Sequence, residues 1–404
     1  MRTAVIISEF NPFHDGHAYL INKARADGCD RVVCLMSGNF VQRGMPAVCD
    51  KYTRAKAAVF GGADLVLELP VMYASGSAEF FALGSVLSAD LLGVCDEIWF
   101  GSETGDLSRL SLVAEREMSD DFSEVVSALY GKGLGFAEAH SIAYEACFGA
   151  EEALSRPNDI LAVEYLKALR RTGAKLKPVT VKREGEYSSK RTDGKFASAS
   201  ALRELIYGGN ITEIANHMPL KSFSAFSDAS ESGLFPVSEE KYREAVYTFM
   251  RLADTDSFSG CDGAEGGLAA YFTALAHETD GADDFFRRLP TKKYTGARLY
   301  RTLLACVLGI TREDRRCEPT YLRMLAANKD GCSLLALAGR TGGLPVITKQ
   351  SDLKTALNDM SDAGREAALR LDALDARADA LFTLCPENAK NAGIFRRTAP
   401  YVAE

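Results

Sequence analysis

The stretch Thr3-Ala-Val-Ile-Ile-Ser8, running on as Glu9-Phe-Asn-Pro-Phe-His14-Asp-Gly-His17, decides the fold. A short continuous apolar run reads as a buried strand. Asn11-Pro12, with Gly16 one turn later, ends it and swings the chain into a helix carrying Tyr19, Leu20, Asn22 and Lys23. Free backbone N–H groups and the positive end of the helix dipole make that helix start a place for an anionic phosphate. His14 and His17 stand three apart beside it. Two imidazoles there can donate to phosphate oxygens and meet the charge that grows when a nucleotide's α-phosphate is attacked and pyrophosphate leaves. Gly16 is expected to keep side chains off the phosphates. The plainer alternative, two loop histidines satisfied locally, does not call for the strand before and the helix after.

The same signals repeat down the chain. Arg31–Ser37, Asp64–Pro70 and Glu97–Phe100 are further short apolar runs. Between them lie a helix Lys51–Phe60, capped by Asp50 and stopped by Gly61-Gly62, and another from about Ser77 to Leu92. Leu107–Ala150 reads as helical and acidic, and Lys177–Lys182 as a fifth strand. Strands alternating with helices predict an α/β, doubly wound parallel sheet. Ligands of such sheets collect at the C-terminal strand ends. That draws attention to the loop Ser37–Gly44, to Gly101, where backbone can approach an adenine or ribose, and to Asn158 and Asp159 at a helix start. Arg183 follows the fifth strand, and Ser198, Ser200 and Arg203 open the next helix. An ordinary turn glycine, simple capping and a solvated arginine are the competing explanations for these last positions.

From Glu204 onward the pattern turns helical, with Tyr242, Ala245, Val246, Phe249 and Met250 at helical spacing, and Leu299, Leu303, Cys306 and Val307 likewise. Asp254–Gly267 reads as a surface loop. Lys292–Arg301 places Arg298 and Arg301 on one helical face near Tyr294 and Tyr300, a combination suited to RNA phosphates and unpaired bases, or to a plain amphipathic helix. The expected division is a nucleotide-binding domain over residues 1–205 and a mainly helical domain over 206–404.

At 404 residues there is interior for more than one domain, and no apolar run is long enough to span a bilayer. Ten scattered cysteines without a Cys-x-x-Cys pair fit a reducing cytoplasm and argue against a structural zinc site. A net charge of −8 excludes a wholly basic nucleic-acid binder. Arg156–Arg203 nevertheless holds twelve Lys and Arg against five Asp and Glu, a local footprint for a polyanion.

The His-x-Gly-His pattern resembles the signature of nucleotidyltransferases that share the class I aminoacyl-tRNA synthetase fold. Several longer motifs, in order along the chain, are similar to the tRNA(Met) cytidine acetate ligase family: Glu9–His17, Met36–Gly44, Asp64–Pro70, Phe100–Glu103, Pro157–Asp159 and Tyr294–Arg301. The resemblance implies an ATP-dependent ligase that makes acetyl-adenylate from acetate and passes acetyl to N4 of the wobble cytidine of elongator tRNA(Met). It assigns catalysis to His14 and His17. ATP binding falls to Ile7, Ser8, Glu9, Phe10, Asn11, Pro12, Phe13, His14, Asp15, Gly16, His17, Ala18, Tyr19 and Leu20, with Gly101, Asn158 and Arg183. Ser198, Ser200 and Arg203 would close on the triphosphate, with Mg²⁺ accompanying it, though no carboxylate cluster declares a metal site. Two other readings stay open: a small-molecule adenylyltransferase, and a non-catalytic RNA-binding protein on the same fold.

Overall fold

The computed structural model describes the chain apart from residues 133, 150–155, 184–195, 292, 342 and 404. Lys190, Arg191, Lys195 and Lys292, part of the basic stretches read above, therefore lie outside the described residues.

The opening run forms β1 (Thr3–Ser8) and lies at the centre of one sheet. On one side it pairs in parallel with β2 (Arg31–Ser37), Val5 opposite Val33 and Ile7 opposite Leu35; β2 then pairs with β3 (Leu65–Leu69). On the other side lie β4 (Glu97–Ser102) and β5 (Lys177–Lys182), also parallel. β1 to β4 are buried almost throughout, which is why their sequences are continuous apolar runs rather than alternating ones. Helices pack against the sheet, among them Asp15–Ala26 after β1 and Lys51–Phe60 after β2. As expected, Asp50 caps the latter, its carboxylate accepting from the N–H groups of Tyr52 and Thr53. The chain moves outward from β1 through β2 to β3, then crosses back to build β4 and β5, so the order reverses beside β1. In open α/β sheets a crevice opens at such a point, beyond the carboxyl ends of the strands.

The C-terminal region is mainly helical, and it also completes the sheet. β6 (Leu322–Ala327) runs antiparallel to β3, while β7 (Val346–Ile347) and β8 (Tyr401–Val402) pair along the far edge of β6. The sheet thus draws strands from both sides of residue 205. β6 is Leu-Arg-Met-Leu-Ala-Ala, rich in good helix formers and free of β-branched residues, so its sequence carries no strand signal. Its place is set by pairing and by complete burial.

Under the carboxyl ends of β2 and β3 lies a buried ionic lattice. Lys51 Nζ sits 2.8 Å from Glu68 and 2.9 Å from Asp379, and Asn39 donates to the same Asp379 carboxylate at 2.8 Å. Asp379 and Asp375 belong to the helix Asp362–Phe382, and Asp375 accepts from Val71 N–H at 2.8 Å. Burial, then the Glu68 charge, push the Asp375 carboxyl up to about 8. This lattice pins the C-terminal helix to the sheet.

Candidate active site

At the point where strand order reverses, a cavity of about 640 Å³ opens, a volume usual for a small-molecule site. Its floor is the end of β1. Phe10 has φ of +46°, and no other non-glycine residue among those described has positive φ. Bulky residues are rarely held there, and such strain gathers at functional sites. The buried guanidinium of Arg54 fixes the turn: it donates to the carbonyls of Glu9, Ser37, Gly38 and Cys49, drawing the ends of β1 and β2 together.

His14 and His17 form a reciprocal cap on the helix Asp15–Ala26. His14 Nδ1 accepts from Gly16 N–H at 3.0 Å, and His17 Nδ1 accepts from His14 N–H at 3.3 Å. With Nδ1 accepting in both rings, each neutral imidazole carries its proton on Nε2 and keeps it as a donor. The ring centroids are 3.9 Å apart. Beneath His17 the rings of Phe10 and Phe13 lie 4.9 and 5.7 Å away. Burial, with the Arg183 and Arg203 charges, lowers the His14 pKa to about 3; burial, with His14 and Arg183, lowers that of His17 well below the usual value. Both rings are thus neutral donors at neutral pH.

Gly16 has a role the sequence reading did not give it. A Cβ there would stand 2.8 Å from Cε1 and 3.0 Å from Nδ1 of His14, breaking the cap before it touched any phosphate.

Of the residues expected at an ATP site, Ile7, Ser8, Glu9, Phe10 and Asn11 line the cavity, as do His14, Gly16, His17, Tyr19 and Leu20. Pro12, Phe13, Asp15 and Ala18 do not; Phe13 and Ala18 face the core. Gly101, Asn158 and Arg183 line it from the other side of the crossover. A Cβ on Gly101 would lie 3.0 Å from Arg183 Cγ, so this glycine makes room for the arginine stem. Asn158 opens the helix Pro157–Thr172 and is held by Glu103, which accepts from its side-chain amide at 2.7 Å and from the backbone N–H groups of Asn158 and Asp159. Ser198, Ser200 and Arg203 also line the cavity. Arg203 donates to the Asn11 carbonyl at 2.8 Å and to Ser200 Oγ at 3.0 Å, while Ser198 caps the helix Ala199–Tyr207. Among the described residues no group of three or more His, Cys, Asp or Glu gathers to hold a metal.

The loop Ser37–Gly44, expected at the ligand end of the sheet, supplies Gln42 and Arg43 to the cavity. No such signal in the sequence marked Met45 and Pro46 just beyond it, Glu239 and Arg243 from the helix Glu239–Leu252, or Gly296, Ala297 and Tyr300 as cavity residues of the helix Gly296–Leu308. For the last helix the sequence leaves open an RNA face or a plain amphipathic helix, and its first turn opens into the cavity. Arg301 is largely covered, and burial lowers its pKa to about 10. Glu239 and Arg243 had no signal beyond an ordinary amphipathic helix.

A sheet that reverses at β1, with paired neutral imidazoles in the crevice, defines a nucleotidyltransferase: the family model described as HIGH Nucleotidyl Transferase matches residues 1–394, and the chain belongs to that family. Within it the chain falls among the tRNA(Met) cytidine acetate ligases. The protein of that name from Caldanaerobacter subterraneus subsp. tengcongensis is 36% identical, over 89% of this chain and 91% of the relative, and that from Thermotoga maritima is 33% identical over 91% of each. The crystal structure of Thermotoga maritima TmcAL bound with alpha-thio ATP is similar at TM-score 0.91 and 31% identity, covering 100% of both chains. The apo form gives TM-score 0.91 at 30% identity.

Proposed function

We propose that this protein activates acetate with ATP as acetyl-adenylate, releasing pyrophosphate, and transfers the acetyl group to N4 of the wobble cytidine of elongator tRNA(Met). The observation that carries the reading is the reciprocal histidine cap, which aims two Nε2–H donors from a helix start at the strand crossover. Acetate oxygen attacks the α-phosphorus and the bond to the bridging oxygen breaks. His14 and His17 stabilise the charge on the transferring group, and Arg183 and Arg203 offset that of the triphosphate. Ser200, whose Oγ accepts from Arg203, can turn its hydroxyl hydrogen toward a phosphate oxygen, and Ser198 stands beside it at the helix start. Mg²⁺ would accompany the triphosphate and offset its charge, and Arg183 and Arg203 would share that task.

Residues 1–205 supply the nucleotide side. Residues 206–404 hold the tRNA while furnishing the outer cavity wall and three strands. We place the protein in the cytoplasm: all ten cysteines are free thiols, and no helix among the described residues is long and apolar enough to cross a membrane. ATP–pyrophosphate exchange with and without acetate, followed by labelled-acetate transfer to unmodified tRNA(Met), tests the reading. Acetate-dependent exchange with label on the tRNA is the expected result. Exchange indifferent to acetate would instead favour a small-molecule adenylyltransferase.

A further inference from the structure

The cavity has two sides of different origin. One is the nucleotide side described above. The other is built by the loop after β2, the helix Glu239–Leu252 and the first turn of Gly296–Leu308, none of which has a part in the adenylate-forming step proposed above. They are locked together. Gly44 has φ of +75°, and a Cβ there would lie 2.6 Å from backbone atoms of Tyr300 and Arg301. Tyr242 donates its hydroxyl to the Gly44 carbonyl at 2.9 Å. Gln42 N–H donates to the Glu9 carboxylate at 2.9 Å, tying this wall to the end of β1.

Its chemistry is specific. Glu239 and Arg243 sit one helical turn apart with a loose 3.5 Å ion pair, each about a third exposed. The Arg243 guanidinium lies 5.7 Å from the centre of the Phe286 ring, and Tyr300 stacks on that same ring at 16° and 5.9 Å. Two nitrogens of this wall, Nε2 of Gln42 and Nε of Arg243, are covered yet have no partner in the protein. Buried donors are nearly always paired, so both side chains stand under-satisfied and gain by turning toward an acceptor placed in the cavity.

We propose that this wall seats the acceptor cytosine. Glu239 accepts from the exocyclic N4–H, Arg243 and Gln42 donate to N3 and O2, and the Tyr300 ring covers a face of the base. The assignment rests on the acetyl-transfer reading above. The pattern selects cytosine, because uracil would turn a carbonyl oxygen toward the Glu239 carboxylate. In the transfer step N4 attacks the acetyl carbonyl carbon. The C–N bond forms as the C–O bond to the adenylate phosphate breaks, AMP leaves with the electron pair, and the N4 proton passes to Glu239.

The test uses the full-length protein and two assays, acetate-dependent pyrophosphate exchange and acetyl transfer to unmodified tRNA(Met). For Glu239→Ala, transfer should fall by about a hundredfold or more, as expected for loss of a general base, while exchange changes by no more than about threefold. Arg243→Ala should mainly raise KM for the tRNA. Glu239→Gln keeps an acceptor but not the proton sink, so it should recover the tRNA KM and leave kcat low. Equal loss of both activities in protein that melts normally would overturn the assignment, as would undiminished transfer in both alanine variants. Loss of acetate dependence alone would make the wall an acetate seat and overturn it too. If an alanine variant melts early, Glu239→Gln and Arg243→Gln are read against the same outcomes. A wild-type protein without acetate-dependent exchange would count against the ligase reading itself.

Discussion

His14 and His17 were visible in the sequence as a pair, and their spacing pointed to phosphate. What the spacing could not show is that each ring accepts from the backbone at Nδ1, which fixes the proton at Nε2. Removing one such donor in His17→Ala should slow acetate-dependent pyrophosphate exchange by about 10²–10³, leaving tRNA affinity nearly intact; an equal loss of both would make the residue structural. The same burial has a pH signature. The folded His14 pKa of about 3 lies below its unfolded value near 6.5, so the unfolded chain binds the extra proton in that interval. Stability is complete above about pH 6.5 and is lost as pH falls toward 3, by up to about 1.4 kcal/mol per unit from this ring. Asparagine is a good N-cap that does not titrate, so the urea midpoint of His14→Asn should show a shallower acid slope than wild type.

At the scale of elements, the first five strands and the capped helix Lys51–Phe60 were legible because apolar runs, Asp50 and paired glycines all agree there. β6 was not, since its composition favours helix and only its neighbours make it a strand. The ionic lattice was equally hidden, as Lys51, Glu68 and Asp379 are far apart in sequence. With Lys51 only 1% exposed, Lys51→Met should leave the Glu68 and Asp379 carboxylates buried and facing each other, lowering unfolding free energy by about 3–5 kcal/mol in denaturant titrations. Asp375 has the opposite linkage to His14. Its folded pKa of about 8 is above the unfolded value, so the folded state holds the extra proton and stability declines as pH rises from about 4 through 8. Asp375→Asn mimics the protonated form, and its stability relative to wild type should grow across that window.

For the whole molecule, the helical character of the second half was legible, but its part in the sheet and the cavity was not. Periodicity reports which residues face inward, never what they face. A fragment ending at residue 205 lacks β6 and would bare the edge of β3, while Glu68 would lose Arg323 and Lys51 would lose Asp379. Such a fragment should aggregate in sedimentation runs, whereas a soluble monomer would show that the two halves fold independently. Binding of tRNA by an acidic protein must rest on local cations. Arg298→Ala should weaken it with a log–log salt slope smaller by about one unit if that arginine meets a phosphate, and an unchanged slope would move the contact surface elsewhere.

The histidine cap also bears on which contaminants the protein resists. Two imidazoles three residues apart at a helix start would ordinarily invite stray zinc or nickel. Here both Nδ1 lone pairs are taken by backbone amides and both Nε2 atoms hold protons. A cation must therefore break the cap or expel a proton to bind. Trace metals that occupy histidine pairs elsewhere should leave this nucleotide site open.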